Sequence, residues 1–173
     1  MSTTSICKVY KTKANPVQYY PNSWLGAMLV WEAVGTLCGR PFNLLGMRDS
    51  YLQEKWWTIW KHPKLTEQYR AVLLWTYDFN IVKEQDISRF SEALAAMHEL
   101  IRKQSPGTLS HFGNMAEDIK RIKIDKRCLG LGLNANSVSD LWYYDYSRRY
   151  REELIGDVYE YGRWLENNPQ EAA

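Results

Sequence analysis

Histidines, cysteines and paired carboxylates are the side chains whose spacing would indicate metal or acid–base chemistry, and the histidines come first. His62, His98 and His111 include no pair four residues apart, and His98-Glu99 lacks the second histidine of a zinc-protease helix. Histidines spaced in this way are expected to be ordinary surface or core residues. The sequence therefore predicts no metal ligands and no cofactor.

Two short segments match part of a known functional motif but lack another feature that the motif requires. Gly130-Leu131-Gly132 follows a strand-like start, but no third glycine opens a helix, so the dinucleotide-binding fingerprint is incomplete. Asp118-x-Lys120 has the form of the end of a nuclease motif, but its neighbours predict a helix where that chemistry needs a strand. We interpret the glycines as close packing inside a strand and the acid–lysine pair as a chance match.

Asp140 and Asp145 flank a predicted aromatic strand and form a pair of carboxylates with the right chemistry for acid–base catalysis. Solvated strand ends are the ordinary interpretation of such residues. A serine or cysteine nucleophile needs a base held within hydrogen-bond reach, and scattered histidines do not indicate one. The sequence leaves enzymatic activity open and favours a non-enzymatic protein, with a hydrolase as the less favoured alternative.

Basic residues cluster in two short segments, and these are better candidates for a functional surface. Residues 120–127 hold five cations in eight positions, and three arginines follow within residues 148–151, near the other end of a predicted hairpin. If the two segments meet in space, they form a patch that holds phosphates or an acidic protein face. The alternative is a solvated helix face whose arginines pair with Glu152 and Glu153.

Aromatic residues are the other candidates, since 8 Trp, 12 Tyr and 4 Phe stand among 173 residues. On a helix Trp57 points about 100° away from Trp56, so either that helix is buried on two sides or one indole is exposed beside lysines. An exposed ring next to cations is a stacking or hot-spot element. Most of the rings are nevertheless expected in the core. The binding residues predicted from both patterns are Tyr19, Tyr20, Trp57, Lys120, Arg121, Lys123, Arg127, Trp142, Tyr144, Arg148 and Arg149.

The elements that must position these residues are mostly helices. Period-two patterns predict a short edge strand over residues 6–13 and a late hairpin with strands at 128–133 and 141–146. Residues 17–20, bracketed by two prolines, are expected as an extended connector. The prediction is an α+β fold in one domain over residues 1–173, with a small antiparallel sheet made from the N-terminal strand and the hairpin. Apolar residues at helical spacing predict about six helices, near 22–37, 50–61, 66–77, 87–101, 112–122 and 148–167.

Net charge and cysteine content limit the class of protein. The net charge is +2, so a nucleic-acid surface has to be local; residues 1–85 carry 10 basic and 6 acidic side chains, whereas residues 86–173 carry 12 and 14. Cys7, Cys38 and Cys128 form no CxxC motif and are expected to be reduced. With no signal-peptide segment and no bilayer-length apolar stretch, a cytoplasmic protein without a membrane partner is predicted.

The N-terminal run Asn-Pro-Val-Gln-Tyr-Tyr-Pro-Asn-Ser-Trp at residues 15–24, with Gly-Ala-Met at 26–28, resembles the opening of small uncharacterised phage-encoded proteins. The resemblance covers about fourteen residues and brings no active site with it. It implies a compact accessory protein in the cytoplasm of a bacterial host. Such a protein would bind and block a host machine, including a defence complex of the CRISPR type.

Two functions of different classes remain. The preferred hypothesis is a non-enzymatic, anti-CRISPR-like inhibitor that blocks a protein or ribonucleoprotein of the host, with Trp and Tyr anchors inside an Arg/Lys rim. The alternative is a nucleotide or single-stranded nucleic-acid binding module, which stacks bases on its rings and holds phosphates with its cations.

Overall fold

The structure, a computed structural model of the 173-residue chain, describes residues 3–21, 26–39, 59–76, 80–108, 110–136 and 156–167. Within these residues the fold is α+β, as predicted. Helices pack on a sheet that is mixed rather than purely antiparallel, and it has more strands than expected. The small sheet of an N-terminal strand and one late hairpin is therefore a correction.

The sheet has five strands in the spatial order β2-β1-β4-β3-β5. Each neighbouring pair is antiparallel except β3 and β5, which run parallel. The strands are β1 (Thr3–Val9), β2 (Ala14–Pro21), β3 (Asn80–Val82), β4 (Gly130–Asn136) and β5 (Gly156–Asp157).

Five α-helices lie in the described parts of the chain, fewer than the six or so expected. Most of the predicted helix at 50–61 lies outside those parts, and only its end, Ile59 and Trp60, is seen to be helical. Ser91 Oγ donates to the Ala116 carbonyl at 2.6 Å, which fixes one helix on another. The helices are α1 (Gly26–Leu37), α2 (Glu67–Thr76), α3 (Ile87–Gln104), α4 (Phe112–Arg121) and α5 (Val158–Asn167).

One core joins the helices to the sheet. Trp75 of α2 is 1% exposed, its indole Nε1–H donates to the Leu131 carbonyl of β4 at 2.9 Å, and its ring meets Phe90 of α3 edge-on at 5.0 Å. A buried indole needs a partner for its N–H, and here the strand backbone supplies it. The buried aromatic residues of the described parts are Tyr20, Trp60, Trp75, Phe90, Phe112 and Tyr159.

The N-terminal strand corrects the sequence interpretation in two ways. β1 lies between β2 and β4, so it is not an edge strand although lysines surround it. The expected connector at residues 17–20 is part of β2, which is the edge of the sheet in the described parts of the chain. Pro16 and Pro21 fit there because an edge strand tolerates a missing N–H on its outer side.

The C-terminal elements correct the sequence again. The first strand of the predicted late hairpin is β4, extended to Asn136, while the second, at 141–146, lies outside the described residues. Gly156 and Asp157 form a strand, so the last helix begins at Val158 rather than near residue 148. A Cβ on Gly130 would stand 2.6 Å from the Val82 carbonyl oxygen, which explains the glycine by the close approach of β3.

Candidate functional site

The last turn of α4 carries two of the predicted binding residues, and both are ion-paired. Lys120 Nζ lies 3.2 Å from Glu117 Oε1, and Arg121 Nη1 lies 3.7 Å from Asp118 Oδ1. Cations in the last turn also complement the negative end of the helix dipole. Lys120 and Arg121 therefore already have a structural role on the surface of α4.

Tyr20 is a correction, because its ring is not available to a partner. It is 3% exposed, and its hydroxyl donates to Asp118 Oδ2 at 2.8 Å. Burial, then the Asp118 hydrogen bond, raises the pKa of Tyr20 far above its usual range. His111 closes this contact by donating from Nε2 to the Pro21 carbonyl at 3.0 Å. Tyr20 thus fastens β2 to α4.

The segment after α4 lies against the turn that joins β1 to β2. Tyr10 Oη donates to Asp125 Oδ2 at 2.7 Å, and the Leu129 amide donates to the Val9 carbonyl at 2.7 Å. The turn itself is closed by the Tyr10 amide, which donates to the Lys13 carbonyl at 2.8 Å. These bonds bring together two segments about 115 positions apart in the chain.

This juxtaposition creates a cationic surface, here called the basic end. The residues of both segments contain one acid, Asp125, and each basic residue apart from the half-buried Lys8 is exposed. Within the described part of the chain, none of these cations forms an ion pair. The basic end consists of Lys8, Lys11, Lys13, Lys123, Lys126 and Arg127.

Asp125 is held as a carboxylate inside the basic end. The Tyr10 hydrogen bond, then the backbone N–H of Arg127 at 3.0 Å from Oδ1, lowers the pKa of Asp125, and the charge of Lys8 adds to the effect. The same hydrogen bond raises the pKa of Tyr10 to about 12. Asp125 therefore fixes the two segments together and cancels only one of six positive charges.

Large exposed hydrophobic side chains lie elsewhere. Among the described residues they are Val17 and Tyr19 on β2 and Trp164 on α5, with exposures of 39%, 60% and 41%. Tyr19 was predicted as a binding residue, whereas Trp164 was not. The ring of Trp164 stacks on Tyr161, with centroids 5.6 Å apart and planes 11° from parallel. A tryptophan three residues after a tyrosine on a helix was the signal available for this pair.

An open recess of about 370 Å³ lies beside the start of α2 and the end of α5, lined by Trp60, Lys61, Arg70 and Glu166. The guanidinium of Arg70 donates twice to the Trp60 carbonyl, at 3.2 and 3.0 Å, and once to Glu166 at 2.7 Å. Because Arg70 and Glu166 are bonded to each other and to the Trp60 backbone, the recess is a weaker candidate than the basic end.

Several predicted residues lie outside the described parts of the chain, so the meeting of the two predicted basic clusters is not tested. In the described parts, no three metal-ligating side chains cluster, and each histidine makes a structural hydrogen bond. Lys123 and Arg127 are in the basic end. Outside the described residues are Trp57, Asp140, Trp142, Tyr144, Asp145, Arg148 and Arg149.

Comparison of the chain with known protein families, with curated proteins and with solved structures gave no match. Among the described helices, none combines the length and apolar character needed to cross a bilayer.

Proposed function

We propose that this protein binds the phosphate backbone of a nucleic acid, either free or inside a ribonucleoprotein, through the basic end. The observation that carries the proposal is the joining of the β1–β2 turn to the segment after α4, which gathers six cations around one carboxylate. When lysine and arginine side chains without acidic partners bind phosphates, they displace the counterions that surround the nucleic acid, and this release supplies the binding free energy.

The composition of the basic end favours phosphates over an acidic protein face. Protein interfaces center on buried aromatic or apolar anchors, whereas interfaces with nucleic acid are more polar and positively charged. None of the described residues with a large exposed apolar side chain belongs to the basic end; Tyr19 pairs with Ser5, three positions along β1 from Lys8, or about 10 Å in a strand. Tyr10, the ring within the basic end, is half-buried and committed to Asp125.

A direct test is the fluorescence anisotropy of a labelled single-stranded RNA and a labelled single-stranded DNA, with polyglutamate as competitor. We expect binding that weakens steeply with salt and that resists an equal charge concentration of polyglutamate. Equal competition by polyglutamate would show a general preference for anions, and an absence of binding at low salt would refute the proposal.

A second candidate function is the blocking of a bacterial defence complex, which the N-terminal resemblance implies. The exposure of Tyr19 supports it, since a ring that is 60% exposed on an edge strand is available as an anchor. Truncation of a true anchor, Tyr19→Ala, should cost at least about 2 kcal/mol, or about 30-fold in affinity, for a complex captured from bacterial lysate. Tyr19→Phe keeps the ring and should retain binding; equal affinity of all three proteins would exclude Tyr19 as an anchor.

A further inference from the structure

The parallel strands β3 and β5 end at the same edge of the sheet, and two helices begin there. A short 3-10 turn at Glu84–Asp86 leads from β3 into α3, while β5 leads directly into α5. Lys83 Nζ lies 2.6 Å from Glu160 Oε1, and the Arg89 guanidinium lies 4.1 Å above the Tyr159 ring. These two contacts hold the first turn of α5 against the start of α3.

Asp157 ends β5 and keeps one carboxylate oxygen unused. It is 4% exposed, and its Oδ1 accepts the backbone N–H groups of Tyr159 at 3.1 Å and Glu160 at 3.0 Å. Its Oδ2 is buried and has no hydrogen-bond partner among the residues that the structure describes. A buried, unpartnered carboxylate oxygen is costly and calls for an explanation, such as an ion.

Asp86 supplies a second carboxylate at this edge of the sheet, because it ends the 3-10 turn that follows β3, and β3 pairs in parallel with β5 at Ile81 and Asp157. It precedes α3, makes no capping hydrogen bond and forms no ion pair in the described part of the chain. Burial, then the charge of Asp157, raises the pKa of Asp86. The hydroxyl of Tyr159 is also buried without a hydrogen-bond partner.

The charges around this pair leave it negative. Lys83 and Arg89 face Asp86, but they are paired with Glu160 and with Glu67 respectively. Arg163 also lowers the pKa of Asp86 and carries one further positive charge. Two carboxylates against Arg163 leave a net charge of about −1, which favours a cation.

We propose that Asp86 and Asp157 Oδ2 bind a hydrated divalent cation of the magnesium type at the carboxyl ends of β3 and β5. Hard cations prefer carboxylate oxygens, and magnesium often keeps several waters beside one or two carboxylates. Water ligands are required here because no third metal-ligating side chain joins the pair in the described residues. This site is independent of the basic end and of the proposed function.

The test uses Mn²⁺ as the probe and the electron paramagnetic resonance signal of the free ion as readout. The wild-type protein should bind one Mn²⁺ and release it to excess Mg²⁺. Asp86→Asn and Asp157→Asn should each weaken Mn²⁺ binding at least tenfold. Asn at position 157 retains an Oδ1 that caps α5, so this variant should fold. Glu117→Gln removes an exposed, ion-paired carboxylate of α4 and should bind as the wild type does.

Two outcomes overturn the proposal. One is a wild-type protein that leaves the Mn²⁺ signal unchanged at millimolar concentrations. The other is an Asp86→Asn variant with wild-type affinity, which would place the bound ion elsewhere. Asp86 is half-buried and its side chain makes no capping hydrogen bond to α3, so this variant decides the question even if Asp157→Asn fails to fold.

Discussion

The salt dependence of nucleic-acid affinity can be predicted as a number, because the slope depends on how many cations of the basic end contact phosphates. If all six meet phosphates of a single strand, the slope of log K against log salt is about −4, from about −0.7 per contact. A rise from about 50 to 200 mM salt then lowers the affinity by about 300-fold. Removal of two cations should reduce the slope to about −3 and the loss to about 50-fold.

The variant pair Lys126→Gln/Arg127→Gln tests this slope. Its matched control is Arg102→Gln/Lys103→Gln, which removes one arginine and one lysine from the last turn of α3. That turn connects to the start of α4, whereas the basic end follows the end of α4, about 15 Å along the helix. Anisotropy titrations at four salt concentrations should give a shallower slope for the first variant only. Equal slopes for both variants would refute the assignment of binding to the basic end.

Three further outcomes follow from the contacts of the fold. Gly130→Ala should lower the free energy of unfolding in urea by more than about 2 kcal/mol, because the added Cβ would lie 2.6 Å from a backbone oxygen. In the control Gly162→Ala of α5, the added Cβ has its nearest atom at 3.6 Å, so the free energy of unfolding should stay the same or rise by up to about 1 kcal/mol. Tyr10→Phe should raise the pKa of Asp125 toward its usual value, which a carboxyl NMR titration measures. The hydrogen bond from Tyr10 to Asp125 stabilises the fold at pH values above the ordinary pKa of an aspartate, and this stabilisation is lost as the pH falls through the lower pKa of Asp125 in the folded protein. Burial raises the pKa of Cys7 to about 11, so iodoacetamide at pH 8 should modify Cys7 only after unfolding, and rapid labelling of the folded protein would contradict its burial.

Some helices and strands were predictable from the sequence because they bury one side in the core, and this burial gives a regular spacing of apolar residues. Phe90, Leu94, Met97 and Ile101 of α3 are all buried, and their regular spacing is the direct result of packing one side of a helix on the core. Leu131 and Leu133 of β4 alternate with glycines for the equivalent reason in a strand. In both cases the local pattern and the tertiary packing agree.

Other elements depend on position in the sheet, which a local pattern does not contain. The two prolines predicted an extended connector over residues 17–20, but this segment is part of β2, an edge strand, which tolerates prolines. β3 and β5 have three and two residues, which are too few to show the alternation of apolar and polar residues that predicts a strand. Part of the basic end was predicted from sequence, since Lys123 and Arg127 were among the predicted binding residues, whereas Lys8, Lys11 and Lys13 were assigned only to a predicted edge strand. The long-range hydrogen bonds from Tyr10 to Asp125 and from Leu129 to Val9 join them.

The placement of β1 sets an order of events during synthesis. The β1–β2 hairpin leaves the ribosome well before β4, because about 120 residues separate β1 from β4. At a synthesis rate of about 5–20 residues per second, β4 follows β1 after roughly 6–24 s. An open strand edge recruits wrong partners, and each hairpin has two such edges. Prolines at 16 and 21 blunt the outer edge of β2, which leaves β1 as the side open to pairing. The nascent hairpin is in this way directed toward the strand it pairs with in the finished protein.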